Sequence, residues 1–130
     1  APFMPQYPAT YAKLLGKKLE RHKAQIWLVN TGWSGGAYGV GERIDLPITR
    51  RMLSAILNGE LEDVNFVPDP IFKVLIPDSV SGVENGILNP KNTWKDKEAY
   101  DKKAGDLVKL FKDNFAKYES FGDYAEAGPV

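Results

Sequence analysis

Apolar positions along this chain follow two periods, and the changes of period mark its elements. Tyr11, Leu14, Leu15 and Leu19 recur at helical spacing, with Lys13, Lys17, Lys18 and Glu20 opposite them. That pattern predicts a helix from about Ala9 to His22, with Pro8 suited to its first turn and the Pro-rich residues 1–8 outside it. Ile26-Trp27-Leu28-Val29 is apolar without a break, the pattern of a strand covered on both faces, so a strand is expected over Gln25–Val29. Helical spacing returns at Ile48, Met52, Leu53 and Ile56, between Pro47 and the stop signal Asn58-Gly59. Short strands are expected at Asn65–Val67 and Phe72–Ile76, with Asp69 and Asp78 serving turns beside prolines and a surface loop from Asp78 to Pro90. The last pattern is the strongest. Tyr100, Ala104, Leu107, Val108, Phe111, Phe115 and Tyr118 form one stripe, predicting a long helix that Asn92 or Thr93 caps and that runs to about Tyr118. The tail from Glu119 is expected to be loosely ordered.

Between the apolar run and the second helix lies Asn30-Thr31-Gly32-Trp33-Ser34-Gly35-Gly36-Ala37-Tyr38-Gly39-Val40-Gly41-Glu42-Arg43-Ile44. Its five glycines permit tight turns and close approach of backbone to a ligand, and the chain past a strand's carboxyl end is where α/β sheets hold ligands. The dinucleotide fingerprint fits no register of it. Gly36 and Gly41 have the P-loop spacing, but Glu42 and Arg43 follow where Lys and Ser or Thr are required, and a carboxylate there would repel a phosphate. Arg43, where the loop closes, suits stacking of a planar guanidinium on a purine face, or a salt bridge within the loop. Thr49 suits either a ligand hydroxyl contact or a helix start. Arg50 and Arg51 are expected in the first turn of the second helix, at its positive end, which favours an anion nearby: a phosphate, or for Arg51 a carboxylate partner or water. Trp27 is assigned to the core, Trp33 to packing within the loop, and the lone His22 to a helix end.

Composition narrows the chemistry. The 130 residues carry 17 basic and 17 acidic side chains and no net charge, with no like-charge block of the kind that binds nucleic acid or a membrane surface. Without cysteine and with one histidine, the chain has no disulfide framework, thiol nucleophile or Cys/His metal site. No apolar run reaches the length of a membrane span, and no signal peptide is visible. No nucleophile–base pair or spaced carboxylate pair stands out, so no residue is assigned as catalytic. The first residue is Ala, which suits a processed or truncated product.

The motifs taken together have a family likeness. Asn30-Thr31-Gly32-Trp33-Ser34-Gly35 and Gly41-Glu42-Arg43-Ile44 resemble the N-T-G-W-[TSN]-G and G-K-R-hydrophobic strings of ATP-dependent phosphoenolpyruvate carboxykinases. Thr49-Arg50, Ile56-Leu57-Asn58-Gly59, Pro70-Ile71-Phe72, Ile76-Pro77, Leu88-Asn89-Pro90-Lys91-Asn92-Thr93-Trp94, Asn114-Phe115-Ala116-Lys117-Tyr118 and Ala127-Gly128-Pro129 continue the likeness in order, and Ala1-Pro2-Phe3-Met4 and Tyr11-Ala12 begin it. The likeness covers nearly the whole chain and places it in the C-terminal part of a longer enzyme.

That resemblance implies an α/β fold, part of a mixed-sheet nucleotide-binding domain with about three helices and short strands, residues 1–130 forming one unit. It implies a parent enzyme that converts oxaloacetate and ATP to phosphoenolpyruvate, ADP and carbon dioxide in gluconeogenesis, in the cytoplasm. The adenine nucleotide and the remaining N-terminal part of the enzyme are the implied partners; Mg or Mn is the implied metal, with its ligands and the P-loop upstream. Arg43, Ile44 and Thr49 fall on the family's adenine-nucleotide contacts. Glu42 departs from the family's Lys and alters the charge beside them. The alternatives are a non-catalytic structural fragment or interaction module, and a GTP-dependent relative, which the loop string disfavours.

Overall fold

The computed structural model describes residues 5–122 and 124–130. The Ala1-Pro2-Phe3-Met4 string therefore lies outside the described residues. Helix α1 spans Pro8–His22, within a residue of its expected start, and α2 spans Leu46–Leu57. Between them β1 (Trp33–Ser34) and β2 (Glu42–Arg43) pair antiparallel. Strands β3 (Phe66–Pro68) and β4 (Leu75–Pro77) form a second antiparallel pair, with Val67 opposite Ile76. Short helices α3 (Asn85–Leu88) and α4 (Pro90–Thr93) lead into the long α5 (Lys97–Phe115). Helices and short strands mix, as an α/β chain requires.

The core forms where α2 meets the segment that follows it. Ala55 is fully enclosed, and Leu61, Val80 and Val83 pack with it. Trp27 lies against this cluster with its ring 5.8 Å from that of Phe66, in the core role its apolar run implied. Leu53, expected on the buried face of α2, is instead exposed, and Thr49 takes a buried place on that face. On α5 the expected stripe buries Tyr100, Ala104 and Val108, while Leu107 and Phe111 stay open. Burial pushes the Tyr100 phenol above its ordinary pKa, and the carboxylates of Asp69 and Asp101 add to the effect.

Three local expectations are corrected. Residues 24–30 form no strand. A strand is a property of a pair, and no described segment forms a ladder with this one. Its backbone still alternates, with Trp27 and Val29 turned inward and Ile26 and Leu28 outward, Leu28 to 85% exposure. The stretch from Asp78 to Pro90 is not a plain surface loop. Val80 and Val83 bridge to each other around a turn at Gly82 and point into the core, and α3 follows. Finally, α5 is not continuous from Asn92 or Thr93. Asn89 caps α4 by accepting from the Lys91 amide, and the chain then breaks before Asp96, whose carboxylate accepts from the amides of Glu98 and Ala99 at 3.0 Å. An aspartate that satisfies two first-turn donors defines a helix start more firmly than the residues proposed from the pattern.

The break is held from the α5 side. The Lys97 ammonium donates to the carbonyls of Lys91, Asn92 and Trp94 at 2.8, 2.9 and 2.7 Å. These carbonyls lie at and just past the end of α4, where helical partners run short, although that of Lys91 also accepts from the Trp94 amide. The tail is also tied down. Val130 donates its amide to the Ile71 carbonyl at 2.9 Å, and Lys73 donates to the Glu126 carbonyl at 2.9 Å. Both contacts meet the turn that joins β3 to β4. Asp69 builds that turn as expected, one buried carboxylate oxygen accepting from the amides of Ile71 and Phe72 at 2.9 and 2.6 Å. Asp69→Ala removes the acceptor from two part-buried amides. It is expected to destabilise the protein by about 1–3 kcal/mol, seen as a lower urea midpoint with an unchanged m-value; an unchanged midpoint would show that the turn holds without its carboxylate.

Candidate functional site

The glycine-rich segment closes on itself before it closes on anything else. Trp33 lies opposite Arg43 and Ser34 opposite Glu42, and the Ile44 amide donates to the Gly32 carbonyl at 2.9 Å. Asn30 braces the entry, accepting from the Gly32 amide at 2.9 Å and donating to the Trp33 carbonyl at 3.2 Å. At the far end, the amides of Val40 and Gly41 both donate to Ala37. The two backbone limbs meet at Gly36 and Gly41. A Cβ on Gly36 would lie 2.8 Å from the Gly41 nitrogen, and one on Gly41 would lie 2.6 Å from the Ser34 carbonyl oxygen. Only glycine fits both positions. These two glycines therefore serve the loop's own closure rather than the approach of a ligand.

The loop is clipped to α4 through one hydroxyl. Thr93 Oγ1 accepts from Ser34 Oγ at 3.0 Å and from the Gly35 amide at 3.1 Å, and donates to the Pro90 carbonyl at 2.7 Å. Gly35 has φ of 80°, and a Cβ there would sit 3.2 Å from the Thr93 carbonyl oxygen. Sequence reasoning assigned Thr93 to a helix cap and missed this role. The partners are 59 residues apart, so no local pattern signals the contact.

This frame presents Arg43. The residue is exposed on β2, and neither ion pair among the described residues involves it, so the loop salt bridge that was the alternative does not form there. Ile44 follows, half-buried, at the end of the hairpin. Thr49 stands apart from them by one helix entry. Its amide donates to the Asp45 carbonyl at 3.1 Å in the first turn of α2, and its side chain is buried. No hydrogen bond among the described residues engages its hydroxyl, yet no buried polar side-chain atom is stranded there, so the oxygen keeps contact with solvent. Trp33 remains half-exposed, edge-on to Tyr38 at 6.0 Å.

The two arginines of α2 divide as their alternatives allowed. Because the helix begins at Leu46, both lie in its second turn and not in the first as expected, and the macrodipole is weaker there. Arg51 has a carboxylate partner. Its guanidinium binds Glu60 through two nitrogens, one of them at 3.2 Å, and its stem runs over Gly82. The hydrogen bond holds Glu60 below its ordinary pKa and raises Arg51 above its own. Arg50 is exposed and takes no part in either ion pair. A cleft of about 340 Å³ lies elsewhere, between the β3–β4 hairpin and α3–α4, lined by Asp69, Asp78 and Asn85 among others; Arg43, Ile44 and Thr49 do not border it.

Comparison with known proteins decides the family. A model of phosphoenolpyruvate carboxykinase matches residues 1–86. The chain is 55% identical to phosphoenolpyruvate carboxykinase (ATP) of Caldanaerobacter subterraneus over 130 residues, 99% of this chain. The chain belongs to the ATP-dependent phosphoenolpyruvate carboxykinase family. It is also 54% identical to phosphoenolpyruvate carboxykinase (ATP) 1 of Moorella thermoacetica across its whole length, and 50% identical to the Thermus thermophilus protein across 99% of it. It spans about a quarter of the length of these carboxykinases, in their C-terminal portion. No helix of the described residues is long and apolar enough to cross a membrane. The divalent metal that the family implies finds no fitting donor set here, since the described residues bring together no group of three His, Cys, Asp or Glu side chains.

The Arg51–Glu60 pair carries a pH signature. Because the folded protein holds Glu60 below its ordinary pKa of 4.5, the pair's contribution is complete above that value and is lost as pH falls through the lowered one. Between about pH 5 and 3, the unfolding midpoint of the native protein is expected to fall more steeply than that of Glu60→Gln. Parallel pH profiles in thermal unfolding would contradict this.

Proposed function

We propose that this chain is the adenosine-holding part of a phosphoenolpyruvate carboxykinase that converts oxaloacetate and ATP to phosphoenolpyruvate, ADP and carbon dioxide. In this reading residues 1–130 act as one unit of the nucleotide-binding domain, and the enzyme works in gluconeogenesis in the cytoplasm. The observation that supports it is the placement of Arg43: an exposed guanidinium on a backbone held by the β1–β2 pair, with no ion pair among the described residues. An arginine held open in this way can lie flat against a purine, a contact for which its planar cation is better suited than lysine. Ile44 supplies an apolar wall beside it. Thr49 offers its hydroxyl to the base or ribose from the entry of α2.

The chemistry that these residues serve breaks the bond between the leaving carboxylate and its neighbouring carbon. The resulting enolate oxygen then attacks the terminal phosphoryl group of ATP, and ADP leaves. Negative charge builds at the phosphates during that transfer and must be met by positioned cations. This chain's share is to fix the far end of the nucleotide, which lowers the cost of orienting the phosphates. The P-loop, the metal ligands and the oxaloacetate-binding arginine belong to the rest of the enzyme, which is the chain's partner. Glu42 replaces the family's usual lysine. Neighbouring strand positions point to opposite faces, so its carboxylate is directed away from the face of Arg43.

Arg43→Ala in the full-length protein is expected to weaken adenine-nucleotide binding by about 1–3 kcal/mol, measured by titration calorimetry. An unchanged affinity would return the loop to a purely structural role. The 130-residue chain by itself is expected to show no turnover of oxaloacetate and ATP; turnover would mean that it contains a catalytic centre of its own.

A further inference from the structure

A hairpin of two residues per strand is marginal on its own. The β1–β2 pair is such a hairpin, and its loop carries Tyr38 and Val40 at 91% and 78% exposure. Packing of the loop against a core therefore does not account for its shape. Among the described residues, its side-chain hydrogen bonds to the last third of the chain are those of the Thr93 hydroxyl, which engages both Ser34 and Gly35. Ser34 is half of the two-residue ladder, opposite Glu42, so holding Ser34 holds β2 and the backbone of Arg43.

We infer that Thr93 is a positioning residue for nucleotide binding, acting on Arg43 through the Ser34–Gly35 corner of the loop. The inference rests on the proposed role of Arg43. Thr93 touches no ligand; it sets the register of the strand that presents one. Its hydroxyl is used fully, with one proton given to Pro90 and two donors accepted from the loop. Its own place is fixed by the short α4 turn, whose carbonyls at Lys91 and Asn92, together with Trp94, receive the Lys97 ammonium. The start of α5 is thereby joined to the nucleotide loop through one threonine. Removing the hydroxyl leaves the part-buried Gly35 amide without its acceptor and frees the corner to shift, while the isosteric shape of valine keeps the packing.

The test measures the ATP dissociation constant, and KM against kcat, in the full-length protein for Thr93→Val, Thr93→Ser, Arg43→Ala and the double variant Thr93→Val/Arg43→Ala. Thr93→Val is expected to raise the dissociation constant and KM for ATP about tenfold, with kcat little changed. Thr93→Ser, which keeps the hydroxyl, restores affinity to near the native value. In the Arg43→Ala background Thr93→Val adds little further loss, because the two act on one contact. Faster amide exchange at Gly35 and Ile44 in Thr93→Val is expected whether or not nucleotide is present. Should Thr93→Val fail to fold, Ser34→Ala removes one of the two tethers and is expected to give a smaller loss in the same direction. The inference is overturned if Arg43→Ala weakens binding while Thr93→Val binds as the native protein does, if Thr93→Ser is as defective as Thr93→Val, or if the two losses add in full. If Arg43→Ala itself changes nothing, the proposed role of Arg43 is what fails, and the inference falls with it.

Discussion

Two glycines that cannot carry a side chain set the shape of this chain's candidate functional region. The backbone at Gly36 passes within contact of Gly41, and a Cβ on either would collide with main-chain atoms that have nowhere to go. That closure brings Trp33 opposite Arg43 and converts a glycine-rich stretch into a hairpin with one defined register. The loop therefore differs from a phosphate-cradling loop in kind. Its amides at Val40, Gly41 and Ile44 are spent on its own carbonyls, and what it presents outward is a side chain.

The hairpin gains its rigidity from elsewhere in the chain. Asn30 ties down one limb locally, and Thr93 ties the corner from the far side of the sequence. Behind Thr93 stand the Lys97 ammonium and the Asp96 cap, so the break between α4 and α5 is also the anchor of the glycine-rich loop. The core proper lies beside these contacts, around Ala55, Leu61, Val80 and Val83. It is small. Helix α1 buries no residue, and Leu57 and Leu110 stay largely exposed. Apolar faces of this kind suit packing against further protein, and the related carboxykinases are about four times as long as the matched stretch.

Much of the fold was legible because helix periodicity is a local property. The extents of α1 and α2, the inward face of α5 at Tyr100, Ala104 and Val108, and the turn role of Asp69 all follow from side chains a few residues apart. Strand assignment failed where pairing decides. Ile26–Val29 has the composition of a strand and no ladder, whereas Trp33–Ser34 has the composition of a loop and a ladder. The buried pair Val80 and Val83 was hidden among Ser, Asp and Gly, whose polarity dominates any window average. At the candidate site, Arg43, Ile44 and Thr49 were located by family likeness, not by pattern. The Thr93 clip could not be read from the sequence, because the Asn-Pro-Lys-Asn-Thr string, although part of the family likeness, does not announce a contact with a loop 58 residues away.

The central claim is that the hairpin ending at Arg43 faces the adenine of ATP. Photoaffinity labelling tests it most directly. The full-length protein would be irradiated with 8-azidoadenosine triphosphate, with and without excess ATP, and the modified peptide identified by mass spectrometry. The account predicts an ATP-protected label between Trp33 and Thr49. Protected labelling confined to other parts of the protein, with this stretch unmodified, would contradict it.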